Sequence, residues 1–159
     1  MGAVSAGASA GLAGRRLVCR ASSAVKVSVL TSVEELADVG EQWQELADAA
    51  GGRATTQPFW CLPWWRHLGR GSPLVVTVYA DGRLAALAPL HERRMAGLRV
   101  VRFFGHDLGA VSEVLVAPGL ESSAEAVWAL LLSGRRRYLE LAQYRADSAA
   151  FAALREVSG

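Results

Sequence analysis

From Leu74 to Phe104 the hydrophobic pattern repeats every second residue, broken only by two short turn signals. Leu74 to Ala80 and Arg83 to Leu90 flank Asp81-Gly82, and Ala96-Gly97 leads into Leu98-Arg99-Val100-Val101-Arg102-Phe103-Phe104. Asp-Gly between apolar runs favours a type I′ hairpin turn, because both central residues of that turn need positive φ. The spacing predicts three antiparallel strands in a meander, and every other element has to be arranged around them.

The flanks read as helices and single strands. Val25-Lys26-Val27-Ser28-Val29 alternates as a strand. Ser32-Val33-Glu34-Glu35 fits a capping box, with Val33, Leu36, Val39, Trp43, Leu46 and Ala50 following at steps of three and four and Gly51-Gly52 as the stop. Thr56 to Gly69 holds three of the five tryptophans. Pro58 suits a first helical turn there, and Pro63 should bend the short helix that follows. Trp60 and Trp64 share a face of that helix, which marks them as core, with Cys61 and His67 as passengers without a functional role. Beyond the meander, Gly105 to Gly109 breaks the period and Glu113 to Val116 is a short extended piece ended by Pro118-Gly119. Ser122-Ser123-Ala124-Glu125 opens another helix, stopped by Gly134. Tyr138 to Tyr144 alternates as a strand, its tyrosines and Tyr79 read as packing residues, and Asp147 or Ser148 caps a last helix. The fold class is α+β, a central and mostly antiparallel sheet in the order β-α-α-β-β-β-α-β-α with helices on both faces.

At 159 residues the chain suits one domain, over residues 25–159. Residues 1–24 are small-residue, low-complexity sequence and are expected to be a disordered extension. The net charge of +2 offers no electrostatic case for nucleic acid or an anionic membrane. Two cysteines, Cys19 and Cys61, make no disulfide framework, and no apolar run approaches the ~20 residues of a spanning helix. A soluble, cytoplasmic protein is expected. Cys61, His67, His91 and His106 have no recurring metal spacing, so no metal is expected.

The element order, together with Pro58-x-Trp60, Trp64-Trp65, Ala88-Pro89-Leu90, Arg102-Phe103-Phe104-Gly105, Leu115 to Gly119 and Tyr138-Leu139-Glu140-Leu141, resembles the GNAT superfamily of N-acetyltransferases. Within it, residues 26 to 157 look like the N-terminal half of the CelD-like, FemAB-related members. The resemblance implies transfer of an acetyl group from acetyl-CoA to an amine or hydroxyl acceptor, a small molecule or saccharide in polysaccharide or envelope biosynthesis. It also implies a second, C-terminal half holding the acetyl-CoA site, so that this chain is a truncated or split fragment, inactive without that half.

The residues can be tested against that implication. A CoA loop of the type Arg/Gln-x-x-Gly-x-Gly/Ala would place backbone N–H groups and a helix N-terminus on a pyrophosphate. Arg94 to Arg99 approximates it but lies in a hairpin turn. Val116 to Glu121 stands at the right place, but Pro118 removes a donor and Glu121 puts a carboxylate where phosphate would lie. Acetyl-CoA is therefore not expected to bind this half alone. The loop Gly105 to Glu113 combines His106, Asp107 and Ser112 as candidate substrate-binding residues with Glu113 as a candidate amine-deprotonating base. Arg135-Arg136-Arg137 reads as a solvated helix end favoured by the macrodipole, with phosphate or acidic-sugar contacts as the alternative. Three functions stay open: an acyltransferase part, a degenerate GNAT module that binds acceptor or partner without chemistry, and a non-functional fragment. Apolar surface meant for a missing half would promote self-association.

Overall fold

The computed structural model describes residues 24–133 and 137–158. The expected extension up to residue 23, Cys19, the Gly134 stop and Arg135-Arg136 lie outside the described residues. The first strand, β1 (Val25–Leu30), precedes α1 (Val33–Asp38) and α2 (Gly40–Ala49). The capping box forms as read: the Glu35 N–H donates to Ser32 Oγ at 3.2 Å, and the Ser32 N–H donates to Glu35 Oε2 at 3.1 Å. The single helix expected from Val33 to Ala50 is instead two, because Val39 leaves helical geometry at φ −94°, ψ 2°. Val39 and Gly40 are both weak helix formers.

Helix α3 (Pro58–Leu68) carries the tryptophan-rich stretch, with Pro58 at its start. Pro63 stands inside it, solvent-exposed, and leaves the Phe59 carbonyl without its usual i+4 donor. Cys61 is fully buried, and its thiol donates to the Thr55 carbonyl at 3.3 Å. Burial alone pushes that thiol far above its ordinary range, so it is a packing group.

The meander is where sequence and structure part. The strand expected from Arg83 to Leu90 stops before Pro89 as β4 (Arg83–Ala88), and a further strand that the sequence did not suggest, β5 (Leu90–Met95), follows it. Two four-stranded sheets result. One runs β1, β3 (Val75–Ala80), β4, β7 (Leu115–Val116), all antiparallel. The other runs β2 (Ser72–Pro73), β5, β6 (Leu98–Phe103), β8 (Arg137–Glu140), with β6 and β8 parallel. Proline has no N–H to give a ladder, and the pairing changes partners around it. The Leu74 N–H donates to Leu90 O at 2.8 Å, and the Phe104 N–H donates to Pro89 O at 2.9 Å. The expected single central sheet and its strand order are thereby corrected, while the α+β class stands.

Both tight turns are left-handed, with Asp81 and Gly82 at φ 51° and 78° and Ala96 and Gly97 at 49° and 81°. Helices cover both sides. On one, Trp43, Leu46 and Ala47 of α2 and Cys61 and Trp64 of α3 pack on Val75, Leu87, Phe104 and Leu115. On the other, α4 (Ser123–Ser133) and α5 (Ala149–Ser158) pack Val127, Trp128, Leu131, Ala150 and Ala153 on Val76, Val78, Ala86, Val101 and Phe103. Trp128 Nε1 donates to the Ala150 carbonyl at 2.7 Å and so ties α4 to α5.

The strand expected over Tyr138 to Tyr144 ends at Glu140, because Gln143 turns the chain at φ 56°. Tyr144 keeps a single parallel bridge to Ser112 and packs against Phe103, Trp128 and Phe151, while Tyr138 is exposed. Arg137, expected at a solvated helix end, is the first residue of β8. Ser148 caps α5, its hydroxyl oxygen accepting from the Phe151 N–H at 3.2 Å.

Candidate functional site

The loop after β6 begins with two glycines in the left-handed region, Gly105 at φ 78° and Gly109 at φ 66°, which bracket a single 3₁₀ turn over His106–Leu108. A Cβ on Gly105 would collide with the six-membered ring of Trp60 and stand 2.8 Å from the Ala110 Cβ, so α3 fixes where the turn sits. The turn holds His106 and Asp107 over one face of the second sheet. Strand register places His91, Arg93, Arg102 and Glu140 on that same face.

Arg102, with 7% of its surface exposed, organises the group. Its Nε and Nη2 meet Glu140 Oε2 at 2.8 and 2.6 Å, and its Nη1 meets Asp107 Oδ1 at 3.1 Å. The other Asp107 oxygen stands 3.8 Å from Arg93 Nη1, and His106 Nε2 stands 3.4 Å from Glu140 Oε1. A carboxylate beside Nε2 orients the ring and favours the tautomer in which Nε2 carries the hydrogen.

Beside this network opens a cleft of about 470 Å³ between the C-terminal end of α3 and β5, lined among others by Trp64, His67, Arg70, Arg93, Asp107 and Leu108. Trp64 Nε1 and Arg93 Nε, both on lining residues, are buried without a hydrogen-bond partner. His91, 1% exposed and packed against Trp64, Trp65 and Phe104, has its Nδ1 3.1 Å from the Arg70 carbonyl and its Nε2 equally unpartnered. A carbonyl only accepts, so Nδ1 carries the hydrogen and Nε2 the lone pair. Burial lowers the His91 pKa and keeps the ring neutral.

The structure does not bring all four sequence candidates together. Ser112 is buried, its hydroxyl donating to the Ala110 carbonyl at 3.2 Å. Glu113, 6% exposed, accepts from the Arg53 N–H at 3.3 Å with one oxygen and from Arg145 Nη1 at 3.3 Å with the other. Arg145 is shared with Asp147, whose Oδ1 accepts from Arg145 Nε at 2.8 Å. This second cluster faces a smaller cavity of about 230 Å³ at the start of α5. Among the described residues no hydrogen bond or ion pair joins it to His106 or Asp107. Sequence reasoning missed Arg93, Arg102, Glu140 and Arg145, which look like ordinary solvated charges on strand and loop. The alternating apolar and charged residues of Leu98 to Phe103 were visible, but nothing local names Glu140 as the partner of Arg102.

Ahead of α4, where the sequence was tested for a phosphate loop, Glu121 Oε1 accepts from the Gly119 N–H at 3.0 Å. Bonds from its own N–H and that of Gly119 draw the Glu121 carboxyl below its usual range. Among the described residues there is no group of three or more metal-ligating side chains, and no helix is long and apolar enough to cross a membrane. Comparison with protein-family models, curated proteins and solved structures finds no match for this chain.

Proposed function

We propose that this chain is the acceptor-binding part of an acyl-transfer system of the GNAT type, holding a hydroxyl-rich acceptor such as a saccharide beside His106 and Asp107. One observation carries the reading: Trp64 Nε1–H and Arg93 Nε–H are buried donors without partners on residues that line the 470 Å³ cleft. Such orphaned donors are rare in folded proteins. Both atoms are closed to solvent, so a ligand oxygen would satisfy them once the Trp64 and Arg93 side chains turn toward the cleft. His106, oriented by Glu140, directly precedes the cleft-lining Asp107 and is the group proposed to take a proton from an acceptor amine or hydroxyl.

The acyl donor belongs elsewhere in this reading, because Glu121 already occupies the N–H donor that a phosphate would need. Acetyl-CoA thus enters only through the resemblance in the sequence. Glu113, with both oxygens engaged by Arg53 and Arg145, supports the α5 end of the domain rather than the chemistry.

The test is saturation-transfer NMR on the full chain with a panel of hexosamines and oligosaccharides, paired with calorimetry on acetyl-CoA. A saccharide should bind, Arg93→Gln should weaken it about tenfold, and acetyl-CoA should give no heat. Micromolar acetyl-CoA binding by the wild-type chain would sink the reading, as would saccharide binding that ignores Arg93→Gln.

A further inference from the structure

On the opposite face of the second sheet the register sets three arginines in one row. Arg94 lies opposite Arg99 across β5 and β6, and Arg99 lies opposite Arg137 across β6 and β8. Residues directly opposite share a face, and like charges there repel. One carboxylate offsets them: Glu92 Oε1 stands 2.7 Å from Arg99 Nη2, and Glu92 Oε2 stands 3.0 Å from Arg137 Nε. Arg94 is exposed and forms no ion pair among the described residues. Three guanidinium groups against one carboxylate leave an excess of two positive charges.

The strand ends at this row enclose a concavity of about 630 Å³, lined by Arg94, Gly97, Leu98, Arg99, Arg137 and Tyr138. Leu98 and Tyr138 are each 60% exposed, large apolar groups that no part of the described fold covers. Strands about 4.8 Å apart spread the three arginines over roughly 10 Å. One phosphoryl group can therefore meet two neighbouring guanidiniums, and two or three linked groups can meet the whole row. Arginine forks suit phosphate oxygens in pairs, and an exposed tyrosine ring beside them offers a flat face to an apolar or aromatic group.

We propose that the Arg94–Arg99–Arg137 row is a binding site for a phosphate-bearing ligand whose apolar part rests on Leu98 and Tyr138. The arginine row lies on the other face of the sheet from His106, whereas Leu98 and Tyr138 alternate onto the Arg93 face and line the concavity where β5, β6 and β8 end; the site does not depend on the acceptor reading. Two sources present that chemistry, a soluble oligophosphate such as a nucleotide and the headgroups of an anionic phospholipid.

Calorimetry on the full chain with inorganic tripolyphosphate and with ADP tests the first source. Flotation with phosphatidylcholine vesicles, with and without phosphatidic acid, tests the second. Whichever arm binds, Arg94→Ala should weaken it about tenfold, because one charge-assisted contact is lost at an exposed position that folding does not need. Glu92→Gln removes the neutralising carboxylate and should tighten binding severalfold, a gain that a merely structural role for the row does not produce. Tyr138→Ala should weaken ADP more than tripolyphosphate if the soluble arm is the one that binds. Absence of binding in both arms overturns the proposal, and so does binding that Arg94→Ala leaves unchanged.

Discussion

Gly105→Ala isolates the contact that seats the candidate site on α3. Two costs are added by one methyl group. The first is conformational: Gly105 sits at φ 78°, where an L side chain costs about 1 kcal/mol. The second is steric: the new Cβ strikes the Trp60 ring and stands 3.0 Å from its Cζ3 and 2.8 Å from the Ala110 Cβ. Overpacking of this kind costs about 1–3 kcal/mol. The sum, about 2–4 kcal/mol, lowers Tm by roughly 5–15 °C for a domain of this size. Gly109→Ala supplies the control, since Gly109 also has positive φ, at 66°, but a Cβ there meets nothing within 4 Å. It should show the conformational cost alone. Trp60→Phe withdraws the outer ring atoms, so the double variant Gly105→Ala/Trp60→Phe should be less destabilised than the sum of its parts by about 1 kcal/mol or more. Urea denaturation followed by far-UV circular dichroism reads all four chains without depending on the altered tryptophan. If Gly105→Ala costs no more than Gly109→Ala, or if the double variant is additive, α3 does not fix the turn and the reasoning fails.

Other expectations are simpler to state. The His91 pKa is lowered in the folded state from the ordinary 6.5 by burial, so below that pH the unfolded chain binds the extra proton more readily. Stability should therefore fall as pH drops through about 6.5 toward the lowered folded value, with a slope of up to about 1.4 kcal/mol per pH unit, and His91→Phe should flatten that part of the curve. Glu113→Gln keeps the shape but loses the charge that meets Arg145; with the arginine partly in solvent, a loss of about 1–2 kcal/mol is expected in chemical denaturation. Trp128→Phe removes the 2.7 Å bond to Ala150 and part of a fully buried ring, and should cost about 2–3 kcal/mol while leaving acceptor binding at the distant sheet face unchanged.

What could be read in the sequence was whatever is decided within a few residues. Ser32 and Glu35 cap each other across three positions, Asp81-Gly82 turns a hairpin, and Trp43 and Trp64 declare buried faces by their spacing. Pro89 was visible too, but its effect depended on which neighbours Leu74 and Phe104 would find, and those are chosen by tertiary packing. The site was legible only in part for the same reason. The glycines around His106 and Asp107 marked a loop, whereas the hold of Arg102 on Glu140 and the removal of Glu113 to the Arg145 cluster join residues far apart along the chain. A polar residue looks the same in sequence whether it ends beside a cleft or beneath a helix.

The split at Pro89 also sets an order of assembly. Strands β3 with β4 and β5 with β6 are hairpins whose partners are neighbours in the chain, and Pro89 leads directly from one to the other, so both can form early at small loop-closure cost. The outer strands have a longer search: Val25 must find Ala80, and Glu140 must find Arg102. In the same way they should be first to open, with their amides exchanging hydrogen ahead of those in β4. Since Glu140 rides on the short strand β8, the imidazole of His106 should gain its carboxylate partner late in folding and lose it early in local opening.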